Sequence, residues 1–159
     1  MNDSEIPKAK LKAALIDQLN AALEVARAAH RSAVEASTHD EARPENDKDT
    51  RGLEQSYLAR GQAQRVVELE TAIALVQQLT TAPCTQVAAG AIVEAVDDDD
   101  NRKRFYIAAA GGGLTLLDRV VVLTPSAPIA RALWAKKLGD ECELSTGAKR
   151  RTLTIVAIN

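Results

Sequence analysis

The stretch LKAALIDQLNAALEVARAAHRSAVEAST, residues 11–38, decides the fold because it has no Gly or Pro and repeats apolar residues at helical spacing. Steps of four and three residues between apolar positions are typical of a heptad seam between paired helices. Seam residues shrink from Leu to Ala toward residue 36, so a partner helix can approach closely there. The predicted seam consists of Leu15, Leu19, Ala22, Ala26, Ala29, Ala33 and Ala36.

A second helix is predicted between about Asp49 and Thr80, where the apolar spacing continues. Gly52 and Gly61 lie inside it, and each costs about 1 kcal/mol relative to Ala, which is too little to abolish a long helix. The segment from His39 to Asp49 contains Pro and clustered capping residues, so it is predicted to be the turn of a hairpin. Residues 1–80 are therefore expected to form an antiparallel coiled-coil hairpin. Its second seam is Ala59, Ala63, Val66, Leu69, Ile73 and Val76.

The apolar pattern changes after Pro83 from helical spacing to short β-rich runs. We therefore predict a linker at 81–84 and a second domain at 85–159. The expected fold class is α+β, with a small antiparallel sheet and one short helix following the hairpin. Predicted strands lie at 86–95, 104–109, 119–124, 141–145 and 151–158, and the predicted helix lies at 128–136.

Composition restricts the function. The net charge of −2 argues against a protein that holds duplex nucleic acid by neutralising phosphates. Aromatic residues make up only 3% of the chain, which favours thin helix packing over one thick core. No secretion signal or apolar run of about 20 residues is present, so a soluble cytoplasmic protein is expected. Cys84 and Cys142 lack the companions of a zinc site.

Residues 126–140, SAPIARALWAKKLGD, followed by a strand, a Thr146-Gly147 turn and a final strand, carry a family resemblance. They resemble the C-terminal domain of Gre transcript-cleavage factors, which show Ser-Pro-x-Ala-Arg-Ala-Leu-x-Gly-Lys-x-x-Gly-Asp. Here Ala127 is inserted between Ser and Pro, and Ala135 stands where Gly is usual. The resemblance implies an FKBP-like C-terminal domain.

The hairpin is similar to the same family, whose tip reads roughly Gly-Asp-Leu-x-Glu-Asn-x-Glu-Tyr. Glu45-Asn46 matches the Glu-Asn pair, whereas Ala42 stands where the family has Asp. Asp40 and Glu41 are the nearest upstream acids. Gre factors insert this tip through the secondary channel of bacterial RNA polymerase and stimulate cleavage of backtracked RNA.

The resemblance therefore implies a monomeric accessory factor with no cofactor of its own, which meets RNA and DNA only through the polymerase. Asp40 or Glu41, with Glu45, would position a Mg²⁺ ion shared with the polymerase. Pro128, Arg131 and Trp134 are the candidate partner-binding residues. The tip has a net charge of −3 over residues 39–49, and carboxylates suit a weakly held Mg²⁺ that retains its waters.

Other interpretations stay open at this point. The acidic tip also fits a solvated turn with helix caps, and a factor with an altered tip could occupy the channel as a modulator without supporting cleavage. A third hypothesis takes residues 85–159 as a prolyl isomerase or protein-binding module, although only Phe105, Tyr106 and Trp134 could build an aromatic pocket. The run of Asp at 97–100 is predicted to be a solvated connection between strands.

Overall fold

The computed structural model describes residues 6–41 and 49–159. These residues form two compact units: one holds the described chain up to Ile16 together with Ala74–Asn159, and the other is Asp17–Ile73. The predicted linker at 81–84 thus belongs to the first unit, together with the beginning of the first helix and the end of the second.

Both predicted helices are present, as α1 at Lys8–Glu41 and α2 at Asp49–Gln77. In the unit Asp17–Ile73, Arg27 on α1 pairs with Glu70 on α2 at 3.0 Å, a contact that fits the predicted antiparallel pair. Leu23 is buried where the prediction had Ala22, which is only half-buried. The buried apolar residues of this unit are Leu19, Leu23, Ala26, Ala33, Leu69 and Ile73.

The first unit contains a five-stranded sheet in the order β3-β2-β1-β5-β4. One short helix, α3, lies between β3 and β4, which confirms the predicted α+β class and element order. The strands are β1 at Ile92–Asp97, β2 at Arg102–Ile107, β3 at Val121–Leu123, β4 at Glu141–Thr146 and β5 at Lys149–Ile158, and α3 is Pro128–Leu133.

One detail of the predicted sheet is wrong. Three strand pairs are antiparallel, but β3 runs parallel to β2, with Phe105 opposite Val121 and Ile107 opposite Leu123. A parallel pair needs a long crossover, and the chain supplies one in residues 108–120, which contain the 3-10 turn Leu117–Arg119. The sheet is therefore mixed.

The core of this unit lies between the sheet and α3. Ala130 and Leu133 of α3 are both completely buried, and burying a side chain such as Leu stabilises a fold by roughly 1.5–3 kcal/mol. They join a cluster formed by the inward-facing residues of the strands. Among its members are Val93, Ala95, Phe105, Ile107, Cys142, Leu153 and Ile155.

The helix ends inside the first unit are held by both apolar and polar contacts. Leu15 approaches Gly111 so closely that a Cβ at Gly111 would lie 2.6 Å from the Leu15 Cδ1 atom. Gly111 also has φ +82°, which favours glycine. Lys12 donates from Nζ to the carbonyl oxygens of Gln77 and Leu79 at 2.5 and 2.9 Å, satisfying carbonyls at the end of α2.

None of the described helices is long and apolar enough to cross a membrane.

Candidate functional site

The hairpin tip contains the acids predicted to position a metal ion. Asp40 and Glu41 form the end of α1, although their side chains are not among the described ones, and Glu45 lies outside the described residues. The hydroxyls of Ser37 and Thr38 donate to the Val34 carbonyl at 2.9 Å, within the regular helix leading to this end. The roles of the tip acids remain predictions.

Helix α3 presents the three residues predicted to bind a partner. Pro128 occupies the first turn, where its missing N–H costs nothing. Pro128 and Arg131 are exposed, and Trp134 at the C-cap is 44% exposed. Because Ala130 and Leu133 of the same helix are buried, α3 has one core side and one solvent side, and the predicted residues lie on the solvent side.

The departures from the family motif at either end of α3 have structural consequences. Ala127, the inserted residue, is the N-cap and supplies no side-chain hydrogen bond. Ala135, which replaces Gly, has φ +61°, the left-handed region that favours glycine. The helix ends at Leu133, before the predicted end at residue 136, because Trp134 leaves the helical region with ψ 133° and Ala135 follows it in a turn. The insertion therefore removes a side-chain cap from the start of the helix, and the replacement removes the glycine that suits the positive φ after its end.

The loop after α3 exposes an apolar side chain that the sequence analysis missed, Leu138, which is 65% exposed. Asp140 holds this loop by accepting the backbone N–H of Lys137 at 2.8 Å. Two large apolar side chains, Trp134 and Leu138, are thus exposed within five residues. The Gly139-Asp140 stop signal marked the loop but carried no information on which way Leu138 faces.

A basic cleft, also missed by the sequence analysis, opens beside β2 and β3. It has a volume of about 290 Å³ and is lined by four cationic side chains with Phe105 and Val121. Glu94 neutralises part of this charge by accepting from Arg102 at 2.7 Å and from Arg104 at 3.1 Å. The run Arg102-Lys103-Arg104 was the sequence feature that could have predicted this cleft. The four cations of the cleft are Arg102, Lys103, Arg104 and Arg119.

The run of Asp at 97–100 forms a structured turn. Asp97 accepts the backbone N–H groups of Asn101 and Asp99, and these contacts lower the pKa of its carboxyl, with the Asn101 bond as the largest cause. Asp98 accepts from the Thr152 N–H at 2.8 Å. Within residues 6–41 and 49–159, no group of three or more His, Cys, Asp or Glu side chains could hold a metal ion.

The hairpin unit carries exposed apolar surface. Tyr57 is 62% exposed, and the guanidinium of Arg60 lies 5.9 Å from its ring centroid, a cation–π distance. Leu53 and Leu58 on the same helix are also more than half exposed. Contiguous apolar patches mark interaction surfaces, whereas single exposed apolar residues are normal on proteins, so these three side chains by themselves assign no partner.

These features define the class of the protein as an α+β chain with a helical hairpin and a small mixed sheet. One short helix packs on the sheet and exposes its other side to solvent. Residues 82–159 match the family described as transcription elongation factor, GreA/GreB, C-term. Residues 82–159 are therefore a C-terminal domain of the Gre family of transcription elongation factors. No curated protein matches the chain.

Solved structures that are similar to this chain include three factors from bacteria. The GreA factor homolog 1 of Thermus thermophilus is 19% identical, with 91% of this chain and 94% of that chain covered and a TM-score of 0.40. The corresponding factor of Thermus aquaticus is 20% identical, with coverages of 92% and 94% and a TM-score of 0.41. The GreA/GreB elongation factor of Nitrosomonas europaea is 15% identical, with coverages of 57% and 78% and a TM-score of 0.37.

Proposed function

We propose that this chain binds bacterial RNA polymerase through residues 85–159 and inserts its hairpin into the secondary channel. The observation that carries the proposal is the exposed side of α3, within the segment that matches the family. An exposed Trp beside an exposed Arg has the composition of an interface anchor, since these residue types dominate binding energy in interfaces. Trp134, Arg131 and Pro128 are the proposed contacts.

The hairpin is suited to a narrow channel. α1 has 34 residues, which at 1.5 Å per residue gives a helix about 51 Å long. Small seam residues such as Ala26 and Ala33 are buried between the helices, and small residues allow helices to pack closely. A thin, long helical pair is the form needed to deliver a tip to a recessed active centre.

At the tip, we propose that Asp40 or Glu41, with Glu45, helps to hold a Mg²⁺ ion jointly with the polymerase. Carboxylate oxygens are the ligands that Mg²⁺ prefers, and a second metal ion stabilises charge in phosphodiester hydrolysis. The polymerase performs the hydrolysis of backtracked RNA. The chain acts as an accessory factor and meets RNA and DNA only within the complex.

The test is transcript cleavage by purified, stalled polymerase with the native chain, with Glu45→Ala, and with the double variant Asp40→Ala and Glu41→Ala. We expect both changes to abolish stimulated cleavage while polymerase binding stays nearly intact, and added Mg²⁺ to rescue activity in part. Glu54→Ala, an exposed acid on α2, is the matched control and should behave as the native chain. Normal cleavage by the acid variants would end the metal-positioning role.

A second candidate is a channel-occupying modulator that does not support cleavage. Ala42, which replaces the family's Asp in the tip, favours it because one carboxylate of the expected pair is missing at that position. This candidate requires the native chain to bind polymerase and to slow elongation or cleavage with no dependence on Mg²⁺ concentration. The prolyl isomerase hypothesis loses support, because Tyr106 is completely buried and the cleft that Phe105 lines is dominated by cations, whereas a prolyl pocket is mostly apolar.

A further inference from the structure

A buried lysine lies against a cysteine in the first compact unit. Lys8, the first residue of α1, is only 4% exposed. Its Nζ atom donates to the carbonyl oxygen of Ala82 at 2.6 Å and to the Sγ atom of Cys84 at 3.1 Å. A buried ammonium group needs such partners, because a buried charge without a partner is strongly unfavourable. The amine and the thiol are thereby held in contact.

A third reactive group, the hydroxyl of Tyr106, belongs to the same neighbourhood. Tyr106 is completely buried, and its hydroxyl has no hydrogen-bond partner among the described residues. Burial raises the pKa of Tyr106 to about 12, and the charge of nearby Cys84 adds to the increase. A buried hydroxyl without a partner is costly and rare, so an oxygen atom added within its reach would gain a hydrogen-bond donor.

The two cysteines differ in their access to oxidants. Cys84 is half-buried, so a small oxidant can reach it. Cys142 is buried, its Sγ atom lies 3.4 Å from the Leu153 carbonyl oxygen, and burial raises the pKa of its thiol. Thiol oxidation follows exposure and thiolate character, so Cys84 is the expected target and Cys142 the expected bystander.

We propose that Cys84 and Lys8 form a peroxide-responsive covalent link. In the first step the Cys84 thiol reacts with hydrogen peroxide to give a sulfenic acid and water. In the second step the neutral Lys8 amine attacks the sulfur, an S–N bond forms, the S–O bond breaks, and the hydroxyl leaves as water with one amine proton. Before the second step, the Lys8 ammonium group gives one proton to solvent. Because the first step removes both electrons, hydrogen peroxide is the only oxidant that the link requires.

The link would close a covalent loop from the start of α1 to the segment that follows α2. Cross-links of this kind stabilise chiefly by restricting the unfolded chain, and more so for long loops. A reducing thiol would reverse the link by exchange at sulfur. The device is independent of the tip chemistry and of polymerase binding, because it uses none of the residues assigned to them.

The test uses full-length protein carrying Cys142→Ala, so that an internal disulfide cannot form. After stoichiometric peroxide, the intact mass should fall by about 2 Da, and digestion should yield one peptide pair joined through Lys8 and Cys84. Dithiothreitol should restore the original mass. Unchanged mass, or a gain of roughly 16 or 32 Da with no joined peptides, would overturn the proposal.

Two lysine variants separate the link from simple oxidation. Lys8→Arg keeps the positive charge but has no nucleophilic amine, so it should stop at the sulfenic acid, about 16 Da heavier, which a dimedone probe traps. Lys12→Arg, the matched control one helical turn away, should form the link as before. A mass loss that persists in Lys8→Arg, or that is absent in Lys12→Arg, contradicts the assignment to Lys8.

A third variant tests the part played by the tyrosine hydroxyl. In the Lys8→Arg background, Tyr106→Phe should shorten the lifetime of the dimedone-reactive species, because the sulfenic oxygen loses a buried hydrogen-bonding group. Tyr57→Phe, at an exposed tyrosine, should leave that lifetime unchanged. Equal lifetimes in both variants would remove Tyr106 from the oxidation site.

Discussion

Ala135 donates its backbone N–H to the carbonyl oxygen of Val87 at 2.9 Å while its own backbone lies at φ +61°. Val87 in turn donates to the carbonyl oxygen of Lys136 at 2.8 Å. The segment before β1 and the loop after α3 are therefore tied together through a residue in the left-handed region. That conformation costs roughly 1 kcal/mol for a residue with a Cβ atom.

Ala135→Gly should stabilise the protein by up to about 1 kcal/mol, because glycine adopts a positive φ without the steric penalty. Chemical denaturation of both proteins measures the difference. Ala132→Gly, inside α3 at φ values suited to alanine, is the control and should destabilise by about 0.5–1 kcal/mol or more. The same sign of change in both variants would contradict the strain at Ala135.

Tyr106→Phe should stabilise the protein by about 1 kcal/mol at neutral pH, because it removes a buried hydroxyl without a protein partner among the described residues. It should also change the alkaline limb of the stability curve. The folded-state pKa of Tyr106 is about 12, above the ordinary value near 10. The stability that this raised pKa contributes is therefore complete below pH 10 and is lost as pH rises toward 12.

The measurement is the free energy of unfolding between pH 8 and 12, compared between native protein and variant. The difference between the two curves isolates Tyr106, since lysines titrating in the same range are common to both. Tyr57→Phe, at a tyrosine that is 62% exposed, should lose free energy of unfolding at alkaline pH as the native protein does. An unchanged alkaline limb in Tyr106→Phe would show that the raised pKa is absent.

Lys12→Met should destabilise the protein by about 1–3 kcal/mol, because the carbonyl groups of Gln77 and Leu79 lose a charged donor. The methionine retains most of the apolar stem. Lys10→Met, at an exposed position two residues away, should change stability by less than about 0.5 kcal/mol. Thermal unfolding compares the two variants, and equal small effects would mean that the Lys12 contacts contribute nothing.

Leu133→Ala and Trp134→Ala should separate folding from binding. Leu133 is completely buried, so its truncation should cost about 2–5 kcal/mol. Trp134 is 44% exposed, so Trp134→Ala should lower stability less and weaken polymerase binding more. Melting and polymerase affinity are measured on both variants. Loss of stability in Trp134→Ala equal to that in Leu133→Ala, with unchanged affinity, would reject the anchor.

Local sequence patterns predicted much of this fold correctly. Apolar spacing located α1 and α2 to within a few residues, since an amphipathic helix must repeat its buried face every three or four residues. Short β-rich runs located the five strands, although the predicted first strand at 86–95 forms only an isolated bridge at Gln86 before β1 begins. The parallel direction of β3 was missed because strand direction depends on how the crossover packs.

The partner-binding role of Trp134 stays a prediction. The sequence analysis named Trp134, which is exposed in the structure, but it did not name Leu138, which is also exposed. Periodicity assigns a face only within a helix, and Leu138 lies in the loop beyond α3, where burial depends on neighbours distant in sequence. Arg119 joins the basic cleft for the same reason, since β3 brings it beside the run at 102–104.

The sequence by itself determined the two helices, the β-rich second half, the Gre-like motif at 126–140 and the position of the acidic tip. All of these are local properties, since period, turn residues and short motifs involve neighbours along the chain. Only the tertiary structure decided that Lys8 lies against Cys84, that Lys12 satisfies the end of α2, and that the Tyr106 hydroxyl is buried without a partner among the described residues. These contacts join residues more than 60 positions apart or depend on packing around the whole unit, so no local pattern encodes them.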